Sequence, residues 1–291
     1  MSISSSAFVF PPQSNVTSDG VSESLWNNLA TVVEARTMMQ FGTERRNHLI
    51  GTVIARARAT RAADATAYIK NLLGRGAEAE MNILIDNLTI NETTFFRNVP
   101  QLEMVSKIAI PELVARKNSD GKPKCINVWS SACSTGQEVY TLAMLGYEAL
   151  KFLPGWEVKV FGTDISPTVL DIARKGLYAK ARLDTVPPGM LQRYFDDLGD
   201  EIRVKDILRK VSSFQQHNLR EAFPSSTFDI IFCRNVMIYF SREEQAKLAQ
   251  RFYERLSPGG FLVIGHSESL QGMGVDLRLR IHERGVAYQK G

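Results

Sequence analysis

The chain is poor in the residues that build covalent or metal-held scaffolds. Its 291 residues include only three cysteines, Cys125, Cys133 and Cys233, an odd number with no two at metal-ligand spacing. That argues against a disulfide framework and fits a reducing compartment. The four histidines, His48, His217, His266 and His282, are scattered and form no HxxxH pair, so no metal is expected. No apolar run approaches the roughly 20 residues of a membrane span. The N-terminus opens on serines, with one short apolar run from Ala7 to Phe10 before Pro11-Pro12. It lacks the basic region and the long apolar core of a signal peptide. One-signed charge is also scarce: 35 basic against 31 acidic residues leave a net +4, too little to indicate nucleic acid. Neither GxGxxG nor GKS/GKT occurs, so the dinucleotide fingerprint and the phosphate-gripping loop are both missing.

What is present is ordinary globular material, 44% hydrophobic and 23% charged, enough for a sizeable core and about two domains. Residues 1–20 read as a flexible tail. Residues 21–117 read as helical. Leu25, Trp26, Leu29, Val32 and Val33 recur at helical spacing, as do Leu49, Ile50, Val53, Ile54 and Ala57. Asp64 is a candidate N-cap for a helix to Leu73, and Met81, Leu84, Ile85 and Leu88 mark another. Helix is expected to continue to Lys117, with a break or new start at Pro111. The run Asn118–Pro123 is turn-rich and reads as a boundary. Beyond it, strands (126–129, 158–162, 228–233, 261–265) alternate with helices (138–150, 167–174, 242–256), with Ser257–Gly260 as a turn. A hairpin over 277–290 closes the chain. Residues 178–210 interrupt the rhythm as an insertion. The expectation is an α/β fold: a Rossmann-like doubly wound sheet over 118–291 with a C-terminal antiparallel hairpin, preceded by a small all-α domain.

Several segments carry polar residues where such a sheet binds ligands. The loop of NVWSSACSTGQEVYTLA opens a helix, whose free N–H groups suit a nucleotide-like ligand; the same loop also reads as an ordinary βα turn. Asp164, ending the strand in VFGTDIS, could accept both hydroxyls of a ribose or cap the next helix, a task Ser166 could equally take. A small-residue loop and a ribose acid without phosphate machinery point to an adenosine ligand lacking phosphate, with S-adenosylmethionine as the candidate. Glu138 could hold its amino group or simply complement the helix dipole. FDIIFCRNVMIYF is an apolar strand stopping at Arg234-Asn235, with Tyr239 either facing the same cleft or packing at the next helix. NETTFFRN, by itself, reads as a cap followed by core phenylalanines. Over 45–75, Arg45, Arg46, Arg56, Arg58, Arg61, Lys70 and Arg75 stand against the single acid Asp64, a solvated face or an attraction for an acidic partner.

The ordered set NETTFFR, SSACSTGQEVYTLA, VFGTDIS, FCRNVMIYF and LSPGGFLVIGHSES resembles the CheR-type chemoreceptor glutamate methyltransferases over roughly residues 22–290. The resemblance implies S-adenosylmethionine (SAM) as methyl donor, S-adenosylhomocysteine (SAH) as product, and no metal. It implies glutamate γ-methyl esters on the cytoplasmic helical region of methyl-accepting chemotaxis receptors. It further implies a monomer in the cytoplasm, recruited to membrane receptor arrays, without nucleic acid or membrane insertion. Cofactor contacts fall on Asn91, Thr93, Arg97, Glu138, Asp164, Asn218, Leu219, Asn235 and Val236. Arg97 and Tyr239 match residues near the transferred methyl. The basic helix with Arg45, Arg46, Arg56, Arg58 and Arg61 matches the receptor-docking helix, and 178–210 matches a small β-subdomain. Gly136-Gln137-Glu138 departs from the family's common GEEPYS but keeps its second acid. The loop around Asp196–Asp200 is short, which favours action independent of a receptor C-terminal pentapeptide. Alternatives of another class are a methyltransferase for a small molecule or nucleic acid, although no DPPY-type motif occurs, and a non-catalytic cofactor-sensing adaptor.

Overall fold

A computed structural model of the chain describes residues 20–89 and 92–291. The expected tail, 1–20, lies almost wholly outside the described residues. Two compact units emerge, one comprising the described residues up to Arg36 with Phe41–Leu88, the other Thr37–Gln40 with Thr89–Gly291.

The first unit holds four helices: α1 (Glu23–Thr37, whose last residue falls in the other unit), α2 (Thr43–Ala59), α3 (Ala65–Leu72) and α4 (Glu78–Leu88). Each buries the stripe its spacing announces: Trp26, Leu29 and Val33; Leu49, Val53 and Ala57; Ile69 and Leu72; Met81, Leu84, Ile85 and Leu88. Asp64 caps α3, its carboxylate accepting the Ala67 N–H at 2.7 Å.

The second unit runs α5 (Val99–Met104), a wide π turn (Val105–Ala109), α6 (Ile110–Ser119), β1 (Cys125–Ser130), α7 (Gln137–Leu150), β2 (Glu157–Asp164) and α8 (Pro167–Lys175). It continues through β3 (Leu177–Ala179), α9 (Pro188–Tyr194), β4 (Phe195–Asp197), β5 (Glu201–Val204), α10 (Asp206–Arg209) and β6 (Ser212–Gln216). It ends with β7 (Phe228–Cys233), α11 (Arg242–Arg255), β8 (Leu256–Ile264), β9 (Leu277–His282) and β10 (Gly285–Lys290). The main sheet has the order β6-β2-β1-β7-β8-β10-β9, parallel except for the C-terminal hairpin. Strand alternation feeds two cores. Val128, Ile230 and Phe261 face the cluster with α7, while Trp129, Ile231 and Leu262 face the cluster with α11. The inserted segment is a separate antiparallel sheet, β3-β5-β4. No described helix is long and apolar enough to cross a membrane.

Two local readings need correction. The sheet unit begins at Thr89, not at the 118–123 turn, because α5 packs on β10 and α6 on β1 and β8. At Pro111 the expected new start is met: it occupies the first turn of α6, where a missing N–H costs nothing. Ser257–Gly260 is no turn but the irregular start of β8, where register shifts opposite Phe228–Ile230 and Gly259 takes φ +74°. The Asp229 carboxylate holds this irregularity, accepting from the Ser257 hydroxyl at 2.9 Å and the Asn127 N–H at 2.8 Å.

Candidate functional site

The chain leaves β1 for β2 and β6 on one side, then returns for β7 and β8 on the other. The strand order reverses at β1, and in open α/β sheets ligands bind at such a switch point, beyond the strands' carboxyl ends. A cleft opens there. Of the ten expected site residues near it, Thr93, Arg97, Glu138, Asp164, Asn218, Leu219, Asn235, Val236 and Tyr239 all line it. Asn91 lies outside the described residues.

The loop after β1 is shaped by backbone conformations that few residues tolerate. Ser134 has φ +48° and Gly136 φ +94°. At Gly136 a Cβ would sit 2.7 Å from the Ala173 Cβ, so only glycine permits this entry into α7. The turned loop aims the Ser134 N–H at Asp164, whose Oδ2 accepts it at 2.8 Å while Oδ1 accepts the Ser166 N–H at 3.0 Å. Of the two candidates for the helix cap at this turn, Ser166 takes it. Ser166 caps α8 through the Val169 N–H, while the Asp164 carboxylate, 7% exposed, turns toward the cleft. Two backbone donors leave a carboxylate further acceptor sites, enough for a vicinal diol.

Glu138, in the first turn of α7, accepts from the Ser130 hydroxyl at 2.7 Å and from Arg234 at 3.3 Å. Arg234 itself is a site residue that its position at the carboxyl end of β7 foreshadowed without revealing its task. Its guanidinium also donates to the Arg97 carbonyl at 2.9 Å, tying β7, α7 and the irregular 92–98 segment together. Burial lowers its pKa, partly offset by the Glu138 charge, and its Nε is buried without a partner. Arg97 is exposed and gives one donor to the Glu92 carbonyl at 3.0 Å. NETTFFRN therefore does both jobs: Phe95 and Phe96 enter the core, while Thr93 and Arg97 face the cleft. Asn98 caps α5 through the Gln101 N–H.

The far wall follows β6 and β7. His217 is 8% exposed; its backbone N–H donates to the Asp164 carbonyl at 2.9 Å, its ring lies against Trp129 and Phe223, and burial depresses its pKa. Asn218 and Leu219 follow. Arg251 stacks on Phe223 at 3.9 Å and donates to the Leu219 carbonyl at 2.6 Å, clamping this loop. Asn235 adopts φ +58° and opens the short turn Met237–Tyr239, after which Ser241 caps α11. Thr37, the last residue of α1, and Met39, just beyond it, also line the cleft.

The donor set suits an uncharged-sugar nucleoside with a cationic tail. Carboxylates stand at Asp164 and Glu138, apolar walls at Ile165, Leu219, Val236 and Phe240, and hydroxyls at Ser131 and Ser134. No group of three or more potential metal ligands occurs among the described residues. Outside the cleft, two of the five expected docking arginines are turned inward. Arg46 meets Glu23 at 2.5 Å, and Arg56 pairs bidentately with Glu80, which also accepts from the Tyr68 hydroxyl. The Arg56 pairing holds the Glu80 pKa down, and burial beside Glu80 raises that of Tyr68. Counting charge along 45–75 misses these acids, which lie elsewhere in the sequence. Arg58 and Arg61 are exposed, and Arg45 is half-buried.

The family model described as "CheR methyltransferase, SAM binding domain" matches residues 91–283. That span contains every cleft residue named above except Thr37 and Met39. The chain is 38% identical over 212 residues to the chemotaxis protein methyltransferase of Borreliella burgdorferi, covering 71% of this chain and 74% of that protein. It is 37% identical over 204 residues to the probable chemotaxis protein methyltransferase of Rhizobium etli, covering 68% and 74%. The Salmonella typhimurium chemotaxis protein methyltransferase is 33% identical over 267 residues, 89% of this chain and 88% of that one. With the cleft and the matched span coinciding, the chain belongs to the CheR family of SAM-dependent chemotaxis protein methyltransferases.

Proposed function

We propose that the protein methylates glutamate side chains on the cytoplasmic helical region of chemotaxis receptors, giving γ-methyl esters. The observation that carries this reading is the cleft itself: the Asp164 and Glu138 carboxylates at the switch point, with Arg97 and Tyr239 lining the same cleft. When bound, SAM supplies a methyl group on a positively charged sulfur. Asp164 would hold the ribose, and Glu138, steadied by Arg234, the methionine ammonium. A glutamate carboxylate, with an ordinary pKa near 4.3, is already ionised at neutral pH, so the protein has no proton to remove. Its work is positioning and water exclusion. Arg97 orients the incoming carboxylate through a charge-assisted hydrogen bond, and Tyr239 shapes the approach. Because Arg97 also stabilises the ground-state carboxylate, its benefit lies in fixing direction.

Arg58 and Arg61, exposed and cationic, are the residues of the basic segment best suited to meet an acidic receptor face. Only Leu198–Asp200 joins β4 to β5, closed by the Leu198 N–H on the Glu201 carbonyl at 2.9 Å. So tight a hairpin supports action independent of a receptor C-terminal pentapeptide. The test is transfer of labelled methyl from SAM to receptor-containing membranes, with and without the receptor's last five residues. Base-labile label on glutamate at equal rates supports both statements; label absent from receptors refutes the first, and loss on truncation the second.

A further inference from the structure

Glu268 is not among the residues lining the cleft, yet its carboxylate gathers the loop that forms one wall of it. Oε2 accepts the N–H of Gly265 and that of Asn235, the latter at 3.3 Å; Oε1 accepts the Ile238 N–H at 3.2 Å. The Glu268 N–H in turn donates to the Gly265 carbonyl at 2.9 Å, closing a turn after β8. One carboxylate thus fastens the end of β8 to the segment 235–238 after β7. Gly265 makes this possible: a Cβ there would stand 2.7 Å from Oε2 and 3.0 Å from the Asn235 nitrogen.

The segment needs such a fastening. Asn235 has φ +58°, a left-handed conformation that asparagine adopts more readily than other non-glycine residues and that the Glu268 carboxylate fixes by accepting its N–H. Asn235, Val236 and Tyr239 line the cleft, and all three hang on this stretch. The carboxylate also meets the Met237–Tyr239 turn directly, through the Ile238 N–H.

We infer that Glu268 is a positioning residue for cofactor binding and methyl transfer, acting through the 235–239 segment. The inference rests on the cofactor reading given above. Glu268→Gln keeps the shape, but its NH₂ must face either the Ile238 N–H or the Gly265 and Asn235 N–H groups, turning those bonds into donor–donor repulsion, and the remaining bonds lose their charge assistance. Glu268→Asp keeps the charge, but one methylene shorter it cannot span both loops.

The test is calorimetric binding of SAH, together with kcat and KM for SAM, on wild type, both Glu268 variants and Asp229→Asn. Asp229 is a second carboxylate holding backbone of the same sheet, but it faces away from the cleft. The expected result is SAH binding weakened about tenfold or more in Glu268→Gln, less in Glu268→Asp. kcat should fall as well, because Tyr239 moves with the segment. Asp229→Asn should lower the melting temperature while leaving SAH affinity and kcat unchanged below it. Wild-type affinity and kcat in both Glu268 variants, or equal losses in Asp229→Asn, would overturn the inference. A wild-type protein that binds no SAH would overturn the cofactor reading and this inference with it, an outcome distinct from both.

Discussion

Replacing Asp164 by alanine tests the architecture of the cleft and its ligand together. The carboxylate accepts two backbone donors, from Ser134 at 2.8 Å and Ser166 at 3.0 Å, at a site only 7% exposed. Removing it deprives both N–H groups of that acceptor. At about 1–3 kcal/mol for each buried donor left without its partner, the folded state should lose roughly 2–6 kcal/mol, less what water recovers. The Ser134 loop, held at φ +48°, would relax. The ligand loses as well: one or two hydrogen bonds to a charged acceptor, about 1.5–3 kcal/mol each, weaken SAH binding by at least about tenfold and by a hundredfold or more if both go. Asp164→Asn separates the two effects. Its amide oxygen can still serve one of the two backbone donors, so it should cost less stability than alanine while still weakening SAH binding. Urea unfolding gives the first quantity and calorimetry with SAH the second. A folded Asp164→Ala protein that binds SAH within threefold of wild type would refute the ribose assignment.

Four further outcomes follow from the same geometry. Arg97→Ala should leave stability within about 0.5 kcal/mol, because the side chain is exposed, and lower kcat about a hundredfold; normal receptor methylation by the folded variant counts against its role. Arg58→Glu with Arg61→Glu should raise the receptor KM severalfold in a salt-sensitive way and leave SAH affinity unchanged. Arg56→Glu should instead lower the melting temperature, since it breaks the pair with Glu80 whose side chains are 21% and 24% exposed. Burial depresses the His217 pKa in the folded state, so the unfolded chain binds the proton first as pH falls below about 6.5. Stability is therefore full above that pH and declines as pH falls through the folded value, by no more than about 1.4 kcal/mol per pH unit. Urea midpoints between pH 7.5 and 5 should show a decline that His217→Asn flattens; parallel slopes would contradict the assignment.

Much of this protein was written in local chemistry. Helical stripes such as Trp26, Leu29 and Val33, the apolar run of β7 and the polar residues at strand ends need only the periods of helix and strand. They gave the α/β class, the hairpin, the insertion and the cleft residues Glu138, Asp164, Arg234, Asn235 and Tyr239, while Thr93, Arg97, Asn218, Leu219 and Val236 came from the family resemblance. What local chemistry does not encode is pairing across distance. Arg56 looked like part of a basic surface until Glu80 met it, and Glu138 looked unattached until Arg234 and Ser130 claimed its two oxygens. The Ser257–Gly260 signal was that of a turn, yet Asp229 and the neighbouring strand hold it as an irregular strand start. Glu268 reads as one acid in a polar stretch, and its three backbone donors come from two loops that only the sheet order brings together. The sequence by itself determined the elements and the chemical character of the site, because periodicity and residue type act over a few residues. The tertiary structure alone decided which charges neutralise one another, where the helical segment 99–119 belongs and what holds the walls of the cleft, because those depend on the closure of long loops around a seven-stranded sheet.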